Sequence, residues 1–181
     1  MKYLKEIEIK NHKNCLIRNA SAVDAQEVLN IFLLTHEQTD FLASYRDETA
    51  FDAEFEREFL SRIESLEKEV YLCAVVDGHI CGTASVFSIG ANKLSHRAEF
   101  GIAVDKNFWG LGIGRALTEA CIECSKNAGY SQLELEVVSD NSAAVALYEK
   151  LGFVEFGRNP RGFLSRFSGW QALVSMRLEL N

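Results

Sequence analysis

The sequence predicts an α+β (mixed α/β) fold in which one mixed, mostly antiparallel sheet is flanked by about four helices. Two observations support this fold class. Asp77-Gly78, a dipeptide typical of tight hairpin turns, separates two strand-like runs, Tyr71–Val76 and His79–Ser88. From residue 113 onward, helical and strand patterns alternate along the chain, which is typical of a sheet with parallel pairing.

Before the hairpin, the sequence predicts a short strand and two helices. Residues 14–19 form the strand, and Ser21 followed by Asp24 is a helix N-cap signal. The helix that starts there is expected to extend to about Glu37. A second helix is expected from about Glu48 to Lys68, because apolar side chains recur there at helical spacing. These side chains, which are typical of a packed helix face, are Phe51, Phe55, Phe59 and Ile63.

After the hairpin, a polar loop leads into a third strand at about His96–Val104. The elements expected beyond it are a helix at Ile113–Ala128, a strand at Gln132–Val138, a helix at Ser142–Leu151, and closing strands at Phe153–Phe156 and Gln171–Leu180. Between the closing strands, the segment 157–161 is expected to be a basic turn.

The composition limits the functional classes. A net charge of −7 argues against a general nucleic-acid binder, which needs clustered Lys and Arg, and it suits an amine-bearing partner better. No stretch approaches the ~20 apolar residues that a membrane span needs, and Met1–Lys10 does not resemble a secretory signal. Since the sequence contains no repeat or linker, we expect one cytoplasmic domain over 1–181, with 1–13 as an N-terminal extension.

The five cysteines match no disulfide framework, so free thiols are expected. Cys121 and Cys124 fit a C-x-x-C pattern, but a zinc site needs further ligands, and no second Cys pair or close His pair accompanies them. They share a helix face with Leu117, Ala120 and Ala128. We therefore interpret both cysteines as core residues and expect no metal.

The segment from Val104 to Arg115 carries the strongest functional signal. Gly110, Gly112 and Gly114 lack Cβ atoms, so the backbone N–H groups of this glycine-rich turn (residues 110–114) can approach an anion closely. The helix that follows adds unpaired N–H groups and the positive end of its dipole. Together these features predict a phosphate-binding site.

The glycine-rich turn has three alternative interpretations. A P-loop needs Lys followed by Ser or Thr after the last glycine, whereas Arg115-Ala116 follows here. A dinucleotide fingerprint needs G-x-G-x-x-G, and the spacing here is G-x-G-x-G, although Glu134 and Glu136 lie at a suitable distance for a ribose contact. A tight loop without a ligand is the remaining alternative for an isolated turn.

The run AEFGIAVDKNFWGLGIGRALTEA, followed by LELEVVSDNSAAVALYEKLGF, resembles the GNAT superfamily of N-acetyltransferases over about residues 96–157. The pyrophosphate signature of that family is Arg/Gln-x-x-Gly-x-Gly/Ala. Gly112 and Gly114 match it, while Trp109 stands where Arg or Gln is usual.

The resemblance implies acetyl-CoA as co-substrate and no metal. It implies two splayed central strands, 98–104 and 132–138, with the pantetheine arm of acetyl-CoA between them. It also implies an amine acceptor and a chain that can form a homodimer through its closing strands. The acidic composition favours a small-molecule amine as that acceptor, with neither nucleic acid nor membrane as partner. The cofactor-binding residues that it implies are Ile102, Ala103, Val104, Trp109, Gly110, Leu111, Gly112, Ile113, Gly114, Arg115, Ala116, Asn141 and Tyr148.

Glu99 is the candidate general base, because acetyl transfer needs a neutral amine. It interrupts an apolar strand and shares a face with the small residues Gly101 and Ala103, and family members often place a glutamate near this position. The alternative is a solvated carboxylate or one paired with Arg97.

Tyr148 is the candidate acid for the departing thiolate, since Asn141, Ala144 and Tyr148 match a family block in which the tyrosine has this role. Tyr148 also lies at core spacing in its helix, so a purely structural role stays open. Asn141 can cap the same helix, and Gly152 is expected at its C-terminal end.

The sequence therefore predicts an acetyl-CoA-dependent N-acetyltransferase that acts on a primary amine of a small molecule, such as an amino acid or polyamine. Acetylation of a protein or peptide is the alternative within this class. The alternatives outside it are a non-catalytic CoA-binding regulatory module and a nucleotide-dependent enzyme.

Overall fold

The computed structural model of the chain describes residues 1–48, 50 and 52–180. Within these residues, eight strands form one sheet and four α-helices flank it. The strands are β1 (Leu4–Glu8), β2 (Asn14–Asn19), β3 (Val70–Val76), β4 (His79–Ser88), β5 (Arg97–Val104), β6 (Gln132–Val138), β7 (Val154–Ser165) and β8 (Gly169–Glu179). The helices are α1 (Ala25–Gln38), α2 (Ala53–Glu64), α3 (Ile113–Asn127) and α4 (Ser142–Lys150).

The strand order in the sheet is β1-β2-β3-β4-β5-β6-β8-β7. Strands β5 and β6 are parallel, and the other neighbouring pairs in this order are antiparallel. The turn between β3 and β4 has positive φ at Asp77 (52°) and Gly78 (84°), as a tight hairpin with the twist of its strands requires. The predicted α+β fold class is therefore confirmed.

The helices cover both faces of the sheet. Helices α3 and α4 lie on the face that carries the main core, where Leu117, Leu133 and Met176 are fully or almost fully buried. Helices α1 and α2 lie on the opposite face over a smaller core that includes Val28 and Leu60. Among the described residues, no helix is both long enough and apolar enough to cross a bilayer.

Helix α1 begins as the sequence predicts. The Ser21 amide donates to the Asp24 carboxylate (2.8 Å), and residues 22–24 form a 3-10 turn that leads into the helix. Arg18 on β2 donates two hydrogen bonds to the same carboxylate, both at 2.8 Å. The start of α1 is thus bonded to the sheet.

The second helix is shorter than predicted. Asp52 accepts hydrogen bonds from the amides of Glu54 (3.1 Å) and Phe55 (3.0 Å), so it caps α2, which ends at Glu64. Ile63 is buried as expected, but Phe55 is exposed, so the predicted aromatic stripe does not form one packed face. Phe51 and its place in this stripe lie outside the described residues.

Two strands differ from the prediction. Residues 4–8 were expected in an N-terminal extension and form β1, an edge strand paired with β2. The basic turn predicted at 157–161 is wrong, because this segment lies within the edge strand β7. The β7–β8 register shifts between Asn159 and Phe163, so Pro160 lies at a bulge on an edge, where a residue without an N–H is tolerated.

All five cysteines are buried and free. Cys121 and Cys124 lie on the buried face of α3 with Leu117 and Ala120, as the sequence predicts. Burial raises the pKa of the Cys124 thiol to about 11. Neither thiol therefore ionises near neutral pH, which fits a packing role.

Candidate active site

Strands β5 and β6 part from each other halfway along their length. They pair at Arg97–Gln132, Ala98–Leu133 and Glu99–Glu134, and the pairing ends there although both strands continue. The splayed pair of central strands that the sequence resemblance implies is thus present. A gap that separates two parallel strands leaves main-chain N–H and C=O groups available to a ligand.

A cleft with a volume of about 720 Å³ occupies this gap. Its walls come from residues 100–104 of β5, residues 135–137 of β6, the glycine-rich turn, one face of α4, and the end of α1 with the loop that follows. Most of the residues expected to bind the cofactor line it. They are Ile102, Ala103, Val104, Trp109, Gly110, Gly112, Gly114, Arg115, Asn141 and Tyr148.

The glycine-rich turn has the geometry of an anion cradle. Gly110 (φ 76°) and Gly112 (φ 101°) are left-handed, and Gly112 is the N-cap of α3. A Cβ atom added at either position would meet no atom within 4 Å, so both glycines border open space. The turn therefore fits the pyrophosphate of a CoA molecule, with N–H groups of the α3 N-terminus as ligands.

Three predicted cofactor residues have side chains that face the protein core. Ile113 is fully buried, and Leu111 and Ala116 pack against the same core cluster. They lie outside the described residues that line the cleft. Any contact that they make with a cofactor is therefore limited to their main chain.

The described cationic side chains in the cleft lining are those of Lys10, Arg115 and Lys150. Lys10 was not predicted. It lies in the turn after β1, and its amide donates to the Leu111 carbonyl (3.1 Å), which holds the N-terminal hairpin against the glycine-rich turn. Arg115 is partly neutralised by Glu119 (3.1 Å).

Tyr148 is both a core residue and a residue of the cleft. The residue is 6% exposed. Its ring packs edge-on against Phe100, with 6.0 Å between ring centroids, and in a tilted arrangement against Phe153, with 5.8 Å between centroids. Burial raises the pKa of its phenol above the ordinary value of 10, with a further increase from nearby Cys121. The phenol is therefore protonated at neutral pH, as a proton donor must be.

Asn141 fixes the start of α4, the helix that carries Tyr148. Its side-chain oxygen accepts a hydrogen bond from the Ala144 amide (3.3 Å), so the predicted helix cap is present. Gly152 has positive φ (94°) just after the helix, as expected for a C-terminal cap.

Glu99 lies on the face of the sheet opposite to the main core. It is exposed, and its register partner on β4 is Phe87, which contacts Phe59 of α2 (6.0 Å between ring centroids). Glu99 is not among the described residues that line the cleft. Arg97, its suggested ion-pair partner, instead donates to both carboxylate oxygens of Glu134, at 3.0 and 2.6 Å.

Glu136 is a cleft residue that the sequence analysis did not place in the site. It lies two positions beyond the last pair between β6 and β5, on the same strand face as Glu134, and it lines the cleft. The Ser175 hydroxyl donates to its carboxylate (3.2 Å). The alternation of side chains along β6 predicts the sheet face on which Glu136 lies. The sequence does not show where β5 and β6 stop pairing, and this point places Glu136 in the cleft.

A second cavity, of about 600 Å³, borders the cleft, and Thr39 lines both. It lies between the end of α1, the loop after it, and the tip of the β7–β8 hairpin. Arg166 at this tip pairs with Asp47 (2.7 Å) and stacks over the Tyr45 ring (4.1 Å). The Asp40 carboxylate accepts hydrogen bonds from Ser165 (2.6 Å), so the loop is fixed to the hairpin.

Comparison with known proteins gives an independent view of the same region. The model of the Acetyltransferase (GNAT) family matches residues 30–153. The crystal structure of an acetyltransferase of the GNAT family from Streptococcus pneumoniae superposes with a TM-score of 0.87 and 29% identity, over 91% of this chain and 99% of that one.

Two curated relatives from Escherichia coli (strain K12) are similar over shorter segments. The alanine N-acetyltransferase of ribosomal protein bS18 is 43% identical over 74 residues, which cover 41% of this chain and 50% of the relative. An L-amino acid N-acetyltransferase is 35% identical over 83 residues, which cover 45% of this chain and 51% of the relative. The matched segment thus spans about half the length of these relatives.

Proposed function

Because the chain belongs to the GNAT family of acetyltransferases, we propose that it transfers the acetyl group of acetyl-CoA to a primary amine. The observation that carries this proposal is the parting of β5 and β6 after Glu99 and Glu134, with the glycine-rich turn and Tyr148 both in the cleft between the strands. One cleft thus offers a suitable partner for each part of this donor. The anion cradle suits its phosphates, the unpaired strand amides suit its pantetheine, and the buried phenol suits its sulfur.

The donor supplies a thioester: the bond from the carbonyl carbon to sulfur breaks as the bond to the amine nitrogen forms, and one proton must move from nitrogen to sulfur. The chain has to hold the donor, accept the proton from the amine and give one to the thiolate. We propose that the main chain of Ile102 to Val104 and of the glycine-rich turn holds the donor.

The residue that protonates the thiolate and the carboxylates that can accept the amine proton lie on opposite faces of the sheet. Tyr148 packs with the main core beneath α3 and α4, whereas Glu99 and Glu136 belong to the face beneath α1 and α2. A cleft that passes between two strands connects these faces. We therefore propose that the donor sulfur lies on the Tyr148 side and that the amine enters on the carboxylate side.

For the proton acceptor we propose Glu136, directly or through a water. The sequence selects Glu99, but Glu136 lines the cleft beyond the last β5–β6 pair, whereas Glu99 belongs to that pair and lies outside the described cleft lining. Its hydrogen bond from Ser175 orients the carboxylate (3.2 Å). In this arrangement Glu99 lies at the edge of the amine entrance, where its charge attracts a cationic acceptor.

We propose a small-molecule amine, such as an amino acid, as the acceptor. Glu99 and Glu136 place negative charge on the entrance face, which favours an ammonium group in the encounter, while the charge of Glu134 is balanced by Arg97. An L-amino acid N-acetyltransferase that is 35% identical to this chain over 83 residues supports this choice.

A peptide N-terminus is the second candidate acceptor. The second cavity continues from the cleft at Thr39 and gives room for residues that follow an acetylated N-terminal amine. A relative that acetylates an alanine of a ribosomal protein supports this alternative.

The test is release of CoA thiol from acetyl-CoA with a panel of amines, amino acids and short peptides. The proposal predicts thiol release that depends on the acceptor, with kcat/KM highest for free amino acids or amines. A higher kcat/KM for peptides than for free amino acids or amines would identify peptides as the acceptor class. Binding of CoA without thiol release for any acceptor would favour a non-catalytic CoA-binding module.

A further inference from the structure

Trp109 occupies the position where the sequence signature has Arg or Gln, and its side chain makes a specific contact. The indole Nε1 donates a hydrogen bond to the Val104 carbonyl oxygen at 2.7 Å. The ring is 46% exposed and lines the cleft, and the Lys106 ammonium lies 5.9 Å from its centroid. A half-exposed tryptophan with a fixed polar end borders the path of the donor.

The Val104 carbonyl is one of the main-chain groups that face the gap. The next amide, that of Asp105, donates to Cys81 of β4 (2.9 Å), and β4 and β5 pair without a register shift. Since successive residues in an antiparallel pair alternate in direction, the N–H and C=O groups of Ile102 and Val104 point away from β4. They point toward the space that β6 has left.

The turn that carries Trp109 is held from the other side of the sheet. The Asp105 side chain is buried and accepts hydrogen bonds from Gln38 Nε2 (2.8 Å) and from the Asn107 amide (3.0 Å). The Lys106 amide donates to the Gln38 side-chain oxygen (2.8 Å). The end of α1 thus fixes Asp105 and Lys106 at the start of this turn, and the hydrogen bond to the Val104 carbonyl orients the indole.

We infer that the Trp109 side chain is a positioning residue for acetyl-CoA. Its indole N–H takes one of the two acceptor positions of the outermost β5 carbonyl, which favours Ile102 and the Val104 amide as partners of the pantetheine arm, and its exposed ring forms the outer wall of the donor path. This inference rests on the proposed use of acetyl-CoA. The Trp109 side chain then bounds the path of the pantetheine arm, whereas the main chain of the glycine-rich turn binds the phosphates.

The first experiment is spectroscopic. Trp109 and Trp170 are the two tryptophans of the sequence, so a Trp170→Phe variant reports on Trp109 alone. Its emission should change on addition of CoA and saturate at the concentration at which calorimetry shows CoA bound. The matched Trp109→Phe variant should show no change. Unchanged emission in Trp170→Phe, with CoA bound by calorimetry, would overturn the inference and leave the proposed function intact.

The second experiment separates the hydrogen bond from the ring. Trp109→Phe keeps a ring but loses the N–H group that holds it at the Val104 carbonyl, so the wall of the donor path is no longer fixed. The KM for acetyl-CoA should rise about three- to tenfold, the size of effect expected when one hydrogen bond that orders a site is lost. Trp109→Leu loses both and should raise it further, while the KM for the amine and the unfolding temperature stay near wild type. A lower unfolding temperature with an unchanged KM for acetyl-CoA would show a merely structural role. Absence of CoA binding to the wild type would refute the proposed function itself.

Discussion

Tyr148 shows how one side chain can serve packing and chemistry together. Its ring packs against Phe100 and Phe153, and the same burial raises the pKa of the phenol. Since burial disfavours the phenolate, the group keeps its proton up to and beyond the ordinary value of 10. The phenol is therefore protonated across the whole physiological range, as its proposed role as proton donor to the thiolate requires.

Replacing Tyr148 by Phe should lower kcat on the order of 10²-fold, because a proton donor is lost while the ring packing is kept. The affinity for CoA, measured by calorimetry, should stay close to that of the wild type. Tyr130→Phe is a matched control, since Tyr130 is also buried but lies outside the described cleft lining. An unchanged kcat in Tyr148→Phe would leave Tyr148 with its packing role alone. The wild-type rate should show no alkaline decline from Tyr148 below pH 10.

Separate substitutions of Glu136 and Glu99 distinguish the roles proposed for these two carboxylates. Glu136→Gln should lower kcat/KM on the order of 10²-fold and flatten its dependence on pH, because the amide cannot accept the proton. Glu99→Gln should lower it only severalfold, through weaker attraction of the amine. The reverse order of the two effects in pH–rate profiles would return the base role to Glu99, as the sequence alone suggests.

Lys10 provides a test of the phosphate side of the cleft. Lys10→Ala should raise the KM for acetyl-CoA about three- to tenfold, because a charge near the pyrophosphate is lost. The KM for acetyl-pantetheine, which lacks the phosphates, should not change. Lys5→Ala, an exposed lysine on β1, is the control. Equal effects of Lys10→Ala on both donors would place Lys10 away from the phosphates.

At the scale of elements, the junction of β2 and α1 depends on one carboxylate. The Arg18 guanidinium holds the pKa of Asp24 below its ordinary value of 3.8, with help from the Ser21 amide and hydroxyl. A lowered folded-state pKa means that the stabilisation is present above pH 3.8 and is lost as the pH falls through the lowered value.

Asp24→Asn should therefore lower the free energy of unfolding at neutral pH by ~1–3 kcal/mol, measured by urea denaturation. The difference from wild type should shrink in acid, where Asp24 becomes protonated. Asp77→Asn, which removes an exposed ion pair with Lys13, should change stability by less than about 0.5 kcal/mol. Equal losses in the two variants would contradict the assigned role of Asp24.

Elements with strong local signals were predictable, and those defined by tertiary pairing were not. Asp77-Gly78 fixed the β3–β4 hairpin, and Ser21 with Asp24 fixed the start of α1. The predicted start of α2 was too early, because the apolar spacing begins before Asp52, the residue that caps the helix. Strand β7 was predicted too short, because Pro160 suggested a turn, and only the edge position and a bulge allow it within a strand.

At the scale of the whole molecule, the site depends on where two strands cease to pair. The sequence motifs predict the glycine-rich turn and Tyr148, and both lie in the cleft. The position of Glu136 follows from the length of the β5–β6 ladder, which no local pattern specifies. Lys10 enters the site because the N-terminal hairpin joins the sheet, which is a long-range contact.

The charge distribution also differs between the molecule and its site. The chain carries a net charge of −7, which would repel an anionic donor, but Lys10, Arg115 and Lys150 line the cleft. Glu99 and Glu136 lie on the opposite face of the sheet from the main core, together with Glu134, whose charge is balanced by Arg97. The fold thus separates charge that suits an anionic donor from charge that suits a cationic acceptor.

The proposed activity depends on binding of acetyl-CoA in the cleft between β5 and β6. Thermal unfolding of the wild type with acetyl-CoA, CoA, NAD and ATP measures this binding and its selectivity. At about a hundredfold excess over Kd, acetyl-CoA and CoA should each raise Tm by about 5–10 °C, whereas NAD and ATP should leave it unchanged. Stabilisation by NAD or ATP alone, with no response to either CoA compound, would contradict the account.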